Sequence, residues 1–234
     1  MLPDRFKSVV KLFRPLQKGE FILFFVDPSH GGGDNTAAQG LSHKWLDVPI
    51  VLHTPMTITA ITPLIHELLI WVNSVTGVAP IVAFETNNGG DFELERLARL
   101  NRYGQYRIYT MKKLDPTAQK MIDTGILGWN TNTATRPKML RELKDAIEGE
   151  LIHVYHRMTV DECFSFIIGT SGKPEAEDNA HDDLVMSLAG VWQLYQTEQP
   201  MIDQSSGGVV ETSDNDYYKQ PGVLVAEGYD ESEY

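Results

Sequence analysis

The chain has 234 residues, enough for one domain with a real hydrophobic core, and its 42% hydrophobic and 22% charged residues are ordinary for a globular protein. A formal net charge of −12 argues against nucleic-acid binding, and a single cysteine, Cys163, excludes an intramolecular disulfide and a cysteine-based zinc site. No secretory apolar core follows residues 1–7, and no apolar run is read as approaching the roughly 20 residues that cross a membrane, so no membrane partner and a reducing cytosol are expected.

In chain order, residues 1–19 read as a short basic lead-in or linker. Residues 20–26 form a continuous apolar run, the mark of a strand buried on both faces, and it stops at Asp27 and Pro28. Turn chemistry at residues 30–35 leads into strands near 36–42 and 48–54. Ile61, Leu64, Ile65, Leu68, Leu69 and Val72 recur at helical spacing, which predicts a helix over 60–75. A second buried strand covers 80–85, a helix runs from Asp91 to about Asn101, and a short strand covers 107–110.

Residues 111–133 read as irregular. A helix is expected over 136–147, with Pro137 tolerated in its first turn, then a strand over 151–155 and helical structure over 158–168. The last helix is expected over 178–195, and an acidic, disordered tail from 197 to 234. Three adjacent strands followed by helix–strand alternation give an α/β domain over 20–196. Its mixed sheet is antiparallel in the first three strands, then parallel, with helices on both faces. That order fits the ribonuclease H-like architecture.

Charge is unevenly spread along this frame. From Gln196 to the end there are nine acids and one base, leaving residues 1–195 with 23 acids and 19 bases. Positions 96–144 carry eleven bases against three acids, Asp115, Asp123 and Glu142. A solvated charged surface accounts for such a run alone, but the segregation of sign keeps a phosphate-facing surface in view. Arg136, Lys138 and Arg141, opening the helix at 136, are the expected phosphate contacts.

Taken singly, the candidate acids have ordinary explanations. Asp27 before Pro28 starts a turn, Glu85 ends a strand or caps the next helix, and Asp182 and Asp183 suit a helix N-terminus. Taken together they lie where α/β sheets build sites, at strand ends with a crossing helix nearby. Clustered carboxylates repel unless cations neutralise them, and oxygen ligands without cysteine favour Mg²⁺ or Mn²⁺. Two such ions would suit phosphodiester hydrolysis. Helical geometry sets Asp182 and Asp183 about 100° apart, and Asp182 lies nearer Val185, Met186 and Ala189, making it the better inward candidate. His181 is a candidate supporting partner, proton carrier or ligand.

Three segments, Val26-Asp27-Pro28-Ser29, Phe84-Glu85-Thr86-Asn87-Asn88 and His181-Asp182-Asp183-Leu184-Val185-Met186-Ser187, resemble the acidic motifs of terminase large-subunit nucleases of tailed bacteriophages. Gly128-Trp129-Asn130-Thr131-Asn132 and the segment from Thr135 to Leu140 resemble that family's stretch before its last strand, so the likeness spans about 20–196. The resemblance implies that Asp27, Glu85 and one or both of Asp182 and Asp183 are catalytic metal ligands. It further implies cleavage of double-stranded DNA during genome packaging in the infected host cytoplasm, with portal protein, small terminase subunit and an ATPase domain as partners.

No Gly-x4-Gly-Lys-Ser/Thr loop occurs in these 234 residues, so an isolated nuclease domain or fragment is expected. Gly169-Thr-Ser-Gly172-Lys173 has the wrong spacing and reads as a loop. Two rivals stand beside this reading: another ribonuclease H-like enzyme, of junction-resolvase or transposase type, and a non-catalytic interaction module.

Overall fold

The computed structural model describes residues 1–199 apart from 116, 118, 169–173 and 177–180. The strands are β1 (Val10–Leu12), β2 (Ile22–Asp27), β3 (Thr36–Ser42), β4 (Asp47–Val48), β5 (Ile50–Thr54), β6 (Ile81–Phe84), β7 (Arg107–Ile108), β8 (Thr110–Asp115), β9 (Lys120–Leu127), β10 (His153–Val154), β11 (Phe166–Ile168) and β12 (Pro174–Ala176). The helices are α1 (Ile58–Thr76), α2 (Gly90–Leu100), α3 (Thr135–Glu148), α4 (Arg157–Phe164) and α5 (Asp183–Thr197).

A six-stranded sheet in the order β1-β5-β3-β2-β6-β7 forms the centre. β2–β3, β3–β5 and β5–β1 pair antiparallel, and β2–β6 and β6–β7 pair parallel. The expected mixed sheet is therefore present, with helices on both faces. The two-residue strand period divides the core. Ile22, Phe24, Val26, Val82 and Phe84 face α1 and α2, while Leu23, Phe25, Ile81 and Ala83 face α3 and α5.

The lead-in expected over 1–19 is built into this frame. Phe6, Val10 and Leu16 are buried in the α1-side core, and β1 forms an edge strand against β5. Arg14 bridges Glu20 and Asp47, both almost fully buried, at 2.5 Å to each. Residues 111–133, expected as irregular, contain the antiparallel hairpin β8–β9. β9 is exposed on both faces until Leu127, so no inside–outside alternation marks it in the sequence.

Other boundaries also shift. The strand expected at 151–155 is the two-residue β10, paired with β4 outside the main sheet. The helix expected over 158–168 ends at Phe164 and is followed by β11, which pairs with β12. The loop reading at Gly169–Lys173, and the tail reading from residue 200 onward, lie outside the described residues. Within them the chain stays anchored past 196, because Glu198 is buried and pairs with Lys112 and Arg107.

The expectation about membrane-length runs needs correction. α1 has 19 residues and is long and apolar enough, by length and composition, to cross a membrane. Its stripe of Ile58, Ile61, Ile65, Leu68, Leu69 and Val72 is buried against the sheet, which accounts for its apolar content.

α5 crosses β2 and β3 and fixes the depth of the α3–α5 core. A Cβ at Gly190 would come within 2.3 Å of the ring of Phe25, itself fully buried. Replacing Gly190 with Ala should therefore lower the unfolding free energy by about 1–3 kcal/mol, read from urea melts, because neither ring nor helix has room to yield. An unchanged midpoint would show that α5 is not seated as described.

Candidate metal centre

Asp27 ends β2, and the strand period continues the face of Leu23 and Phe25 onto it. Val26 pairs with Phe84, and the Glu85 N–H donates to the Val26 carbonyl at 2.9 Å, so Glu85 follows on the next rung of the neighbouring parallel strand. It continues the face of Ile81 and Ala83, the same face as Asp27. Two carboxylates thus emerge side by side at the carboxyl ends of adjacent parallel strands, under the N-terminus of α5.

Residues 128–129 extend the sheet beside Glu85, which forms a parallel bridge with Trp129. Asn87 Nδ2 donates to Glu85 Oε1 at 2.8 Å and to the Thr131 carbonyl at 2.6 Å, tying the carboxylate to this segment. Only glycine fits at position 90, where a Cβ would stand 1.9 Å from the Glu85 carbonyl oxygen. The tight entry into α2 therefore sets how the Glu85 backbone sits.

Asp182 and Asp183 are separated in role by where α5 begins. Asp183 is the first helical residue, while Asp182 precedes it with non-helical backbone (φ −126°, ψ 6°). The 100° helical spacing used to favour Asp182 as the inward acid therefore does not apply. Asp183 is the more buried, at 8% exposure, and accepts at Oδ2 from the Asn35 N–H at 3.0 Å and from Asn35 Nδ2 at 3.5 Å. Asp182, its side chain one-third exposed, is paired through Oδ2 with Arg136 at 2.5 Å.

Electrostatics converge on Asp27. Burial holds its carboxyl well above the ordinary carboxylate range, and Glu85, Asp183 and Asp182 add repulsion in that order. Side-chain hydrogen bonding toward Glu85 adds a smaller rise at Asp27. Asp183 is also raised, by burial first, against the lowering effect of Asn35. Among the described residues, however, no three His, Cys, Asp or Glu side chains converge tightly enough to form a ready-made ligand set. The acids act on one another without meeting at a point, and Arg136 draws Asp182 aside. Their all-oxygen donor chemistry and mutual repulsion fit a hard divalent cation.

Several neighbours carry no readable sequence signal. Glu162, from α4, accepts at Oε2 from the N–H groups of Leu184 and Val185 at 2.9 and 3.2 Å. Burial pushes its carboxyl up to about 7, with Asp183 and Asp182 adding to the rise. Gln39 Nε2 donates to Thr159 Oγ1 and to the Leu184 carbonyl, pinning the same turn. His53 pairs across β3 with Ala37, itself paired with Asp27, which places it on the Asp27 rung. Burial lowers its pKa, and Asp183 opposes that effect. His181 is exposed beside the acids.

The basic stretch is largely engaged internally. Arg96, Arg99, Arg107, Lys112, Arg136, Lys138 and Lys144 form ion pairs, whereas among the described residues Arg102, Lys113, Lys120 and Arg141 have none. A surface cleft of 470 Å³ lined by Arg14, Gln17, Trp45, Asp47, His153 and Tyr155 lies toward the opposite end of β2. Its Arg14, Asp47 and Tyr155 are already bonded to one another, so it presents no converging free groups.

The Asp27 environment sets a sign for pH dependence. A carboxyl whose folded pKa is raised stabilises the protein below its unfolded value, near 3.9, and loses that contribution as pH rises through the folded value. In EDTA, Asp27→Asn should therefore melt above the wild type at pH 8, with the gap closing toward pH 4. Equal melting temperatures across that range would mean that Asp27 is not electrostatically stressed.

No protein-family model and no curated protein matches the sequence. Solved structures do match in fold. The large terminase nuclease from thermophilic phage G20c with bound magnesium is 18% identical with a TM-score of 0.53, over 79% of this chain and 85% of that one. The large terminase nuclease domain of Thermus phage P74-26 is 15% identical at a TM-score of 0.51, over 82% and 95%. The human cytomegalovirus terminase nuclease domain, manganese-soaked and inhibitor-bound, is 12% identical at 0.50, over 83% and 95%. The chain has the ribonuclease H-like fold of these terminase nuclease domains.

Proposed function

We propose that this chain is a divalent-cation-dependent endonuclease that hydrolyses phosphodiester bonds of double-stranded DNA, cutting concatemeric phage genomes during packaging. The observation that carries the reading is the crowding of Asp27 by Glu85, Asp183 and Asp182 at the carboxyl ends of adjacent parallel strands. Such a grouping opposes folding unless a cation compensates it. The magnesium-bound phage domain and the manganese-soaked viral domain, which share the fold, support a divalent ion here.

Asp27, Glu85 and Asp183, with Asp182, would hold Mg²⁺ or Mn²⁺. Two such ions, when bound, would supply activation of water and stabilisation of the leaving oxygen. The chain's own residues orient the acids: Asn87 fixes Glu85, and Asn35 fixes Asp183. Arg136, beside Asp182, would meet a phosphate entering the site, with Lys138 and Arg141 following on α3. His181, exposed and next to Asp182 in the chain, would serve as a supporting partner of the acids.

In the same proposal the chain acts in the infected host cytoplasm, alongside portal protein, small terminase subunit and an ATPase domain. Cation binding without DNA is weak, because the ligand set is not preassembled.

Plasmid cleavage in Mg²⁺ or Mn²⁺ tests the reading, with EDTA as control. Wild-type protein should nick or linearise the plasmid, and Asp27→Ala or Glu85→Ala should reduce the rate by more than about 100-fold. Full cleavage by Asp27→Ala would overturn the assignment. Cleavage confined to branched DNA would favour a junction resolvase. Variants that alter stability alone, with no cleavage by the wild type, would favour an interaction module.

A further inference from the structure

Asp182 stands at the N-cap of α5. An aspartate there ordinarily accepts a hydrogen bond from the N–H of the second or third helical residue. Asp182 makes no such bond. The two N–H groups it would serve, those of Leu184 and Val185, both donate to Glu162 Oε2, supplied by α4. Its own carboxylate turns to Arg136 instead, at the head of α3.

Stability alone does not account for this exchange. A neutral acceptor on α4, or Asp182 itself, would satisfy the same donors without adding a carboxylate beside Asp182 and Asp183. Both of those acids already raise the proton affinity of Glu162. What the arrangement achieves is to leave the Asp182 oxygens outside their own helix.

We propose that Glu162 is a positioning residue, a surrogate cap that keeps Asp182 from folding back onto the N-terminus of α5 and leaves its carboxylate, held by Arg136, available to the acidic site. Asn35 does the corresponding work for Asp183, and the Gln39 bond to the Leu184 carbonyl holds the turn on which both acids are mounted. The cap exchange stands on geometry alone, and its purpose rests on the cation-site reading proposed above.

The test is thermal unfolding of the full chain, in EDTA and in MnCl₂, for wild type, Asp182→Ala, Glu162→Ala, the double variant and Glu162→Gln. In EDTA, Asp182→Ala should barely move the melting temperature of the wild type. In the Glu162→Ala background it should lower it by about 2–4 °C, the loss of one cap in a chain of this size, because Asp182 has by then taken over the helix end. MnCl₂ should raise the wild-type melting temperature. Glu162→Ala should lose most of that rise, and Glu162→Gln, whose amide oxygen still accepts both N–H groups, should keep it.

An Asp182→Ala effect of equal size in both backgrounds would overturn the cap exchange. A full Mn²⁺ response in Glu162→Ala would overturn the positioning role. If the coupling in EDTA appears but the wild type shows no response even when Mn²⁺ is raised well beyond the weak-binding range, the cap exchange holds and the cation-site reading fails instead.

Discussion

Mutual repulsion and lost hydration oppose placing several carboxylates at one end of a sheet, and Asp27 meets both. The surrounding structure manages this stress with fixed donors. Asn87 holds Glu85, Asn35 holds Asp183 and Arg136 holds Asp182, each reaching in from a different segment. The sheet geometry that sets Glu85 beside Asp27 is backbone-determined, through the parallel pairing of β2 with β6. The opposing acids come from α5, whose seating on Phe25 admits no side chain at Gly190. Packing in the core and charge at the sheet edge are therefore coupled through the position of one helix.

The same logic extends to the basic surface. Arg107 and Lys112 close onto buried Glu198, so part of the positive stretch serves to anchor the end of α5. Lys138 and Lys144 pair along α3, on exposed sites where such bridges contribute little and exchange readily for other anions. Arg136 differs, since its partner is one of the clustered acids. That single ion pair joins the proposed phosphate-facing helix to the proposed cation site.

What could be read from the sequence follows burial. β2 and β6 are apolar on both faces, so their runs stand out, and the acids that end them can be named as Asp27 and Glu85. α1 and α3 announce themselves by helical spacing. The β8–β9 hairpin is hidden because β9 is exposed on both faces and carries no alternation. β1 is three residues long, too short for its pattern to be seen, although its edge pairing makes the lead-in part of the sheet.

At the site the acids were legible and their supports were not. Glu162, Asn35 and Gln39 lie 21, 148 and 144 positions from Asp183 along the chain, and nothing local marks their roles. Helical angles do not rank Asp182 against Asp183, because α5 begins at Asp183 and Asp182 stands before it with non-helical backbone.

The most direct test of the central claim is anomalous diffraction from crystals soaked in MnCl₂. Manganese density within coordination distance of the Asp27 carboxylate, flanked by Glu85 and Asp183, is the expected result. Crystals that take up manganese elsewhere while Asp27 stays bare would contradict the account, and its carboxylates would then need another explanation.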